Sequence, residues 1–353
     1  MSGDFAHAYL YAWVFWMCLT LGCFAMTLLH GVLRGRWGLP ILRVFEAGAK
    51  NLPLIFLLGL PILFSLPSIY PWAAPHAAEH DAILQHKAPY LNSTGWIIRY
   101  VVFFAIWTLI AGLLARWSQQ QDVSRDPALE QKRSNLAAPG IVIFFLTVTF
   151  AITEWVMSLD QLSNSKIYGV IFAVGMALAG VSFATMMLIR STDPAVRACI
   201  SPALLRDLGN LMLAMCMFWA YVNLSQYLII WSANLPEEIT FFKARSGSGW
   251  QIIGFVLFLG QFFVPFIALL ATKTKKVPSN LFAIAALIFA MRFVDVYWNV
   301  MPTLRGTAMV NPLDIVVLVA MGALWLGLYR YHLSRAERLP QYDPRLREAT
   351  DHA

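Results

Sequence analysis

Nine runs of mostly apolar residues, each long enough to cross a lipid bilayer as a helix, occupy most of this chain. A bilayer core about 30 Å thick requires about 20 apolar residues in helical conformation. Only 13% of the 353 residues are charged, whereas a soluble domain carries roughly 25%. The sequence therefore predicts an all-α polytopic membrane protein that forms a single domain, residues 1–353.

The predicted spans are separated by polar segments that set their ends. They run from Tyr9 to Leu33, Leu52 to Tyr70, Ile97 to Ala115, Gly140 to Leu159, Tyr168 to Ile189, Asp207 to Trp231, Trp250 to Thr272, Leu281 to Met301 and Leu313 to Leu333. Pro53, Pro61 and Pro67 remove backbone donors from the second run, which we therefore expect to be kinked. The two longest polar stretches, Pro71 to Thr94 and Arg116 to Pro139, are predicted to be loops.

Lys and Arg residues outside the runs are divided unevenly between two sets of loops. The loops after the first, third, fifth and seventh runs, together with the residues from Arg330 onward, hold 19 of the 26 basic residues, and the alternate loops hold five. Cytoplasmic loops carry the excess of Lys and Arg in membrane proteins. This distribution predicts an N-terminus outside the membrane and a cytoplasmic tail, residues 334–353.

Cysteine and histidine positions argue against a metal or haem group bound by this chain. The four cysteines show no Cys-x-x-Cys spacing, so neither an iron–sulfur site nor a haem attachment motif is predicted. None of the seven histidines falls in the middle of an apolar run, where a b-type haem needs its axial ligands. In the outer loop, the spacing of His76, His80 and His86 beside Glu79 and Asp81 would also suit a metal ion, but a solvated loop is favoured. No basic patch indicates a nucleic-acid partner.

A glutamate lies near the outer end of the fourth run, within the sequence TFAITEWVMSLD. This residue is Glu154, with Ser158 at i+4 and Asp160 at the boundary of the run. A charge at the centre of a bilayer costs about 2.5 to 3.5 kcal/mol, so it usually faces a bundle interior. Two interpretations remain open: a proton acceptor near the outer face, or a structural carboxylate paired with an arginine of another helix.

Arg292, Asp295 and Asn299 share one helix face in the eighth run, because they are spaced i, i+3 and i+7. The spacing predicts an ion pair between the first two within their own helix. Alternatively, Arg292 is the counter-ion of Glu154. Arg99, at the outer start of the third run, is predicted to extend to the membrane interface.

Amide and phenol side chains interrupt the sixth and seventh runs. Gln226 and Tyr227 lie in the outer half of the sixth run, and Gln261 lies near the middle of the seventh. Such side chains often form hydrogen bonds between helices. Together with Arg99, they are also candidates for binding a quinone carbonyl or a chain of water molecules.

Six longer motifs carry a resemblance to a known family. They are GRWG at 35–38, YPWA at 70–73, RWSQQQD at 116–122, TFAITEWVMSLD at 149–160, SQYLIIWSANLPEE at 225–238 and RFVDVYWNVMP at 292–302. With these motifs in this order, the chain resembles the NrfD-like integral-membrane subunits. It is most similar to the second such subunit, the F-subunit type, of bacterial alternative complex III, a quinol:cytochrome c oxidoreductase.

The resemblance implies two four-helix bundles in the bacterial inner membrane. The implied partners are a homologous NrfD-like quinol-binding subunit, periplasmic iron–sulfur and multihaem cytochrome c subunits, and a terminal oxidase. Menaquinone or ubiquinone is the implied substrate, and haem c and iron–sulfur clusters belong to the partners. Where the family has Pro-His-Trp-Tyr-Ser-Thr after its Met-Ser-Leu-Glu motif, this chain has residues 161–166, QLSNSK, after Met-Ser-Leu-Asp.

The combined prediction is a subunit that supports quinol oxidation and carries no redox cofactor of its own. It is either non-catalytic or quinone-interacting, and it transfers protons through an outer cluster of Glu154, Asp160, Arg292 and Asp295, with Ser158 and Asn299 as further candidates for the proton pathway. A purely structural anchor for the redox subunits is one alternative. A stand-alone secondary transporter is another, although the inverted repeats typical of transporters are not evident.

Overall fold

The structure is a computed structural model that describes residues 3–79, 81–235 and 238–340. Two sequence predictions concern residues outside these ranges. His80 of the outer histidine loop is one of them, and most of the predicted tail, from residue 341 onward, is the other.

Helices account for most of the described chain, and no strand occurs within it. The principal helices are α1 Gly3–Leu33, α2 Leu42–Ala49, α3 Leu52–Leu63, α4 Ser93–Ser124, α5 Ala128–Trp155, α6 Tyr168–Ile189, α7 Pro202–Ala233, α8 Trp250–Leu270, α9 Pro278–Leu304 and α10 Pro312–Ser334. Shorter helical segments are Arg36–Ile41, Leu66–Ile69, Pro71–Ala73, Ala77–Glu79, Ala82–Lys87, Met157–Leu159, Pro194–Ala198, Thr240–Lys243 and Thr272–Lys276.

The predicted all-α polytopic fold of about nine helices is confirmed. Among the described residues, eight helices, α1 and α4 to α10, are long and apolar enough to cross a membrane. The second predicted span is divided into α3 and Leu66–Ile69 by a break at Phe64 and Ser65. Pro53 lies in the first turn of α3, where a helix tolerates proline, and Pro67 cannot donate to the Leu63 carbonyl four residues earlier, so the helix is interrupted before Leu66.

One predicted loop is wrong in its secondary structure. Residues 116–124 continue α4 and residues 128–139 begin α5, so only Arg125, Asp126 and Pro127 separate the two helices. Polar helix-forming residues such as those of RWSQQQD extend a membrane helix into water as readily as they form a loop. Arg125 ends α4 in the left-handed conformation, with φ of 58°.

The helices form two four-helix bundles that share a long contact. In the first bundle, α1, α3, α4 and α5 pack in a ring, and in the second, α6, α7, α8 and α9 do the same. Helix α1 lies at the centre, because it also packs on α6, α9 and α10. Its apolar segment is 94% buried inside the protein, as expected for a helix that is hydrophobic on all sides.

The closest approach between the bundles is the crossing of α1 and α6 at two glycines. A methyl group added at Gly22 would lie 1.9 Å from the carbonyl oxygen of Met176, and one added at Gly180 would lie 2.8 Å from the carbonyl carbon of Gly22. Small residues at such crossings let two backbones pack directly in a membrane. The glycine pair therefore sets the spacing of the two bundles.

The loops meet at two ends of the helical assembly. One end, which we call the N-terminal face, carries residues 64–79, 81–92, 156–167, 234–235, 238–249 and 305–311, and contacts such as Ala308 N to Ser248 O at 3.0 Å connect them. The other end, the C-terminal face, carries residues 34–51, 125–127, 190–201 and 271–277. Most of the sequence-predicted site residues lie nearer the N-terminal face, whereas Arg292 and Gln261 lie near the middle of their helices.

Candidate functional site

Glu154 is positioned by the tryptophan that follows it on α5. Trp155 is fully buried in the first bundle, where its ring lies 5.3 Å from that of Trp13 and stacks on Phe104 at 5.8 Å. Successive residues of an α-helix point about 100° apart. Anchoring Trp155 in the core therefore turns Glu154 toward α4, where its side chain is 0% exposed.

Arg99 of α4 is the ion-pair partner of Glu154. Its Nε contacts the Glu154 carboxylate directly, and its side chain is 23% exposed. The Nη2 of Arg99 donates to the carbonyl of Tyr90 at 2.6 Å, and the guanidinium lies 4.2 Å from the centre of the Tyr90 ring. Arg99 thus connects a fully buried carboxylate with the loop at the N-terminal face.

The end of α5 is capped by side chains of the YPWA motif. Tyr70 donates to the carbonyl of Trp155 at 2.8 Å, and Trp72 donates to Ser158 Oγ at 3.0 Å. Ser158 in turn donates to the carbonyl of Glu154 at 2.5 Å. Because the last carbonyls of a helix have no partner within it, these contacts complete the helix end and fix the Glu154 backbone.

A cavity of about 290 Å³ lies at the N-terminal face beside this pair. Its lining residues are Trp72, Leu84, His86, Lys87, Tyr90, Leu91, Thr153, Met157, Ser158, Asp160, Gln161, Ser163 and Asn164. We call it the outer cavity. Thr153 and Tyr90 bring it next to the ion pair of Glu154 and Arg99.

Asp160 occupies the rim of the outer cavity, where its carboxylate holds two segments together. It accepts hydrogen bonds from the Leu162 amide at 3.0 Å and from Thr240 Oγ1 at 3.1 Å. Lys87 donates to the Gln161 carbonyl at 2.6 Å. Burial lowers the pKa of the Lys87 amino group, and the nearby carboxylates of Asp160 and Asp81 oppose that effect.

A second polar group is centred on α9 in the second bundle. Arg292 Nη1 and Asp295 Oδ2 lie 2.6 Å apart, and both side chains are buried. Asn299 donates to the Asp295 carbonyl at 2.8 Å and accepts a hydrogen bond from the Tyr168 hydroxyl at 3.1 Å. The Arg292 guanidinium lies against Gly175 of α6, where an added methyl group would be 2.2 Å from Nη2.

Asp295 and Asn299 face a large cavity of about 720 Å³, which we call the main cavity. Its lining residues are Ser163, Ser165, Tyr168, Ile171, Met217, Trp219, Ala220, Tyr221, Asn223, Leu224, Gln226, Tyr227, Phe241, Phe242, Gly254, Leu257, Phe258, Phe262, Phe266, Asp295, Trp298 and Asn299. Ser163 also lines the outer cavity. The two cavities therefore adjoin at this residue.

Arg245, from the loop before α8, contacts three residues that line the main cavity. It donates to the carbonyls of Trp298 at 3.0 Å and Asn299 at 2.8 Å, and its guanidinium lies 3.5 Å from the centre of the Phe241 ring. Pro302 cannot donate to the carbonyl four residues earlier, which leaves the Trp298 carbonyl free for Arg245. Burial lowers the pKa of the Arg245 guanidinium to about 10, so it remains charged at neutral pH.

The amide residues predicted as quinone or water ligands occupy different places. Gln226 lines the main cavity and accepts a hydrogen bond from Ser165 at 2.7 Å, and Tyr227 lines the same cavity. Gln261 is fully buried in a π-helical turn of α8, Phe258–Phe263, and its side chain has no hydrogen-bond partner among the described residues. Arg99 and Gln261 lie outside the main cavity lining.

The π-helical turn has a local cause in Pro265. This residue cannot donate to the Gln261 carbonyl four positions earlier, and Cys216 Sγ of α7 donates to it instead at 2.9 Å. A π-turn accommodates such a break without ending the helix. It also brings Phe258 and Phe262 to the cavity wall.

The polar residues predicted as one cluster thus form two ion pairs on different helices. The counter-ion of Glu154 is Arg99, and Arg292 pairs within its own helix with Asp295. The alternative pairing of Arg292 with Glu154 is therefore wrong. Arg99 was predicted to extend to the membrane interface, and in the structure its guanidinium pairs with the Glu154 carboxylate. Asp160 lies between the two pairs, at the rim where the cavities adjoin.

Sequence reasoning missed a buried charge network at the C-terminal face. Arg43 contacts Asp122 and donates to Glu46 at 2.7 Å and to Ser118 at 2.7 Å, while Arg133 lies 3.5 Å from Glu46. Arg43 and Arg133 were counted only as loop charges, and Glu46 and Asp122 were not considered. The i, i+3 spacing of Arg43 and Glu46 within LRVFEAG was a signal that could have revealed this network.

Comparisons with known proteins do not indicate a function for this chain. No model of a known protein family matches the chain, and no curated protein is significantly similar to it. Across residues 3–79, 81–235 and 238–340, no group of three or more His, Cys, Asp or Glu side chains is arranged to hold a metal ion.

Proposed function

We propose that this chain is a membrane subunit of a respiratory quinol:cytochrome c oxidoreductase of the alternative complex III type. It lies in the bacterial inner membrane with its N-terminal face toward the periplasm. Its partners are a homologous NrfD-like subunit and periplasmic iron–sulfur and multihaem cytochrome c subunits. Its own part is to transfer protons near the periplasmic face while quinol is oxidised.

The observation that carries this proposal is the buried Glu154–Arg99 pair beside the outer cavity. A carboxylate with 0% exposure inside a membrane bundle is a functional-site candidate, because its burial is costly. Thr153 and Ser158, which flank it in sequence, both line the cavity. A proton on this carboxylate therefore has a short path to the N-terminal face.

Two adjoining cavities place polar residues beside both ion pairs. Asp295 faces the main cavity, Ser163 lines both cavities, and Asp160 lies on the outer rim. Side chains of this kind, with water between them, conduct protons through membrane proteins. The arrangement supports transfer from the second bundle to the periplasmic face.

The reaction releases protons that this subunit can accept. Oxidation of one quinol to quinone yields two electrons and two protons, and the electrons pass to the iron–sulfur and haem c groups of the partner subunits. Asp295 and Glu154 are carboxylates that can each take up and release one proton. Ion pairing with Arg99 and Arg292 holds these carboxylates in place.

The test compares neutralised carboxylates with a matched surface control. Glu154→Gln and Asp295→Asn keep side-chain shape but cannot relay a proton, so each should lower quinol-driven cytochrome c reduction and proton release by about tenfold or more. Asp207→Asn, at a half-exposed carboxylate of α7, should change neither. Proton release is recorded with a pH indicator in membrane vesicles supplied with a short-chain quinol.

Two results would contradict the proposal in different ways. Normal turnover and normal proton release in both variants would show that the carboxylates do not relay protons. Weaker assembly with normal proton release per electron would favour a structural anchor instead.

A further inference from the structure

Lys275 is a buried cation at the C-terminal face, and its hydrogen-bond partner there is a neutral side chain. It lies in the short helix Thr272–Lys276 that follows α8, and it is 6% exposed. Its Nζ atom donates to Oδ1 of Asn210 on α7 at 2.6 Å. Within residues 3–79, 81–235 and 238–340, no carboxylate forms an ion pair with this ammonium group. The described part of the protein therefore leaves its charge uncompensated.

The position of the Lys275 ammonium group is fixed by a glycine of α7. The stem of the side chain lies on Gly209, where an added methyl group would be 2.6 Å from Cγ and 2.7 Å from Cδ of the lysine. An ammonium group has three N–H donors, and Asn210 accepts from one of them. The lysine is therefore held in one place with donors left for a further acceptor.

The charges around Lys275 favour an anion as that acceptor. Lys273 and Lys276 lie in the same short helix and are exposed. Asp207, one turn before Asn210 on α7, is paired with Arg206 at 3.7 Å. A buried charge is costly unless an opposite charge or hydrogen bonds compensate it. An anion bound here would compensate the Lys275 charge and be attracted by the two neighbouring lysines.

An apolar surface begins directly beside this cation and faces outward from the helices. Ile267 and Leu270, at the end of α8, are 52% and 55% exposed. On α7, Ala214 and Met217 follow Asn210 at i+4 and i+7, so they share its face, and both are exposed. Both helices are long and apolar enough to cross a membrane. A ligand that combines an anionic group with hydrocarbon chains fits both parts of this surface.

We propose that Lys275 binds the phosphate of an anionic phospholipid, such as phosphatidylglycerol, in the leaflet at the C-terminal face. The phosphate oxygens accept hydrogen bonds from the ammonium group, and Lys273 and Lys276 add attraction at the surface. The acyl chains lie along the exposed apolar residues of α7 and α8. Basic pockets between membrane helices bind lipid headgroups in this way. The inference does not depend on the proposed function, because it uses neither of the ion pairs near the N-terminal face.

The experiment is native mass spectrometry of the full-length chain in detergent, titrated with dioleoylphosphatidylglycerol. Dioleoylphosphatidylcholine, which has the same acyl chains and no net charge, is the lipid control, and we expect it to bind about tenfold more weakly or less. Lys275→Met keeps an apolar stem on Gly209 and removes the charge, so it should lower phosphatidylglycerol affinity about tenfold. Lys132→Met, the same change at an exposed lysine of α5, should bind like the unaltered chain.

Thermal unfolding distinguishes loss of a ligand from loss of packing. In phosphatidylcholine alone, Lys275→Met should unfold at the same temperature as the unaltered chain or higher, because it removes an uncompensated buried charge. Added phosphatidylglycerol should raise the unfolding temperature of the unaltered chain and not that of the variant. Lys273→Met changes an exposed side chain and should lower phosphatidylglycerol affinity about fivefold. This second variant decides the test if Lys275→Met does not fold.

Three results would overturn the site. The first is phosphatidylglycerol affinity equal to that of the unaltered chain in folded Lys275→Met, or in Lys273→Met where the other variant does not fold. The second is stabilisation by sodium phosphate equal to that by phosphatidylglycerol, which would indicate a site for a soluble anion. The third is a zero-length crosslink between Lys275 and a carboxylate of a co-purifying protein, which would assign the opposite charge to that protein.

Discussion

Two buried carboxylates on the side of the N-terminal face each have an arginine at contact distance. Glu154 pairs with Arg99, and Asp295 pairs with Arg292. Removing one partner of a buried ion pair leaves a charge without compensation, which costs more than removing both. Each pair can therefore be tested by comparing the stability of a variant that lacks one partner with that of a variant that lacks both.

Replacing Arg99 by Met should destabilise the protein strongly, because Glu154 would remain buried without a counter-ion. We expect a loss of about 3–5 kcal/mol, and partial recovery when Glu154→Gln is added in the double variant. Thermal unfolding in detergent measures both. Arg116→Met on the same helix, at an exposed position, is the control, and equal losses in single and double variants would contradict the pairing.

Residue-level predictions succeeded where the necessary information was local. Glu154 was recognisable because a charge interrupts an apolar run, and the Arg292–Asp295 pair followed from its i, i+3 spacing. The partnership of Arg99 and Glu154 joins two helices and depends on how Trp155 is packed, which no local pattern encodes. Arg245 was missed for a similar reason, since its loop position gave no sign of burial.

At the scale of elements, helix ends are explained by caps and prolines rather than by hydropathy. Helix α7 begins at Pro202, five residues before the predicted span, because Ser201 caps the Leu204 amide at 3.2 Å and proline suits the first turn. Asn311 and Asp314 similarly form a capping box at the start of α10. These signals were present in the sequence, whereas the place where Pro67 interrupts the second span was not predicted.

The crossing of α1 and α6 should be sensitive to a single methyl group. Gly22→Ala would place that group 1.9 Å from a backbone oxygen, so the helices must separate at a cost of about 1–3 kcal/mol or more. Gly112→Ala, in α4 with no atom within 4 Å, should not lower stability, because alanine favours a helix more than glycine does. Thermal unfolding compares the two, and a Gly22→Ala variant as stable as Gly112→Ala would contradict the close packing.

At the scale of the whole molecule, hydropathy predicted eight long membrane helices, and a ninth span that is divided, but not their arrangement. The two four-helix bundles were implied only by the family resemblance, and the central position of α1 was not anticipated. Cavities arise from the fit of several helices, so neither the main nor the outer cavity was predictable from a single run. Because Ser163 lines both cavities, the cavity of the second bundle adjoins the one beside Glu154.

The most direct test is to isolate the tagged chain from gently solubilised native membranes and identify what accompanies it. A reduced-minus-oxidised spectrum and mass spectrometry of the co-purifying proteins are recorded on the same sample. We predict a c-type haem signal together with an iron–sulfur subunit and a second NrfD-like subunit. A chain that purifies alone and without haem would contradict its role in a quinol:cytochrome c oxidoreductase.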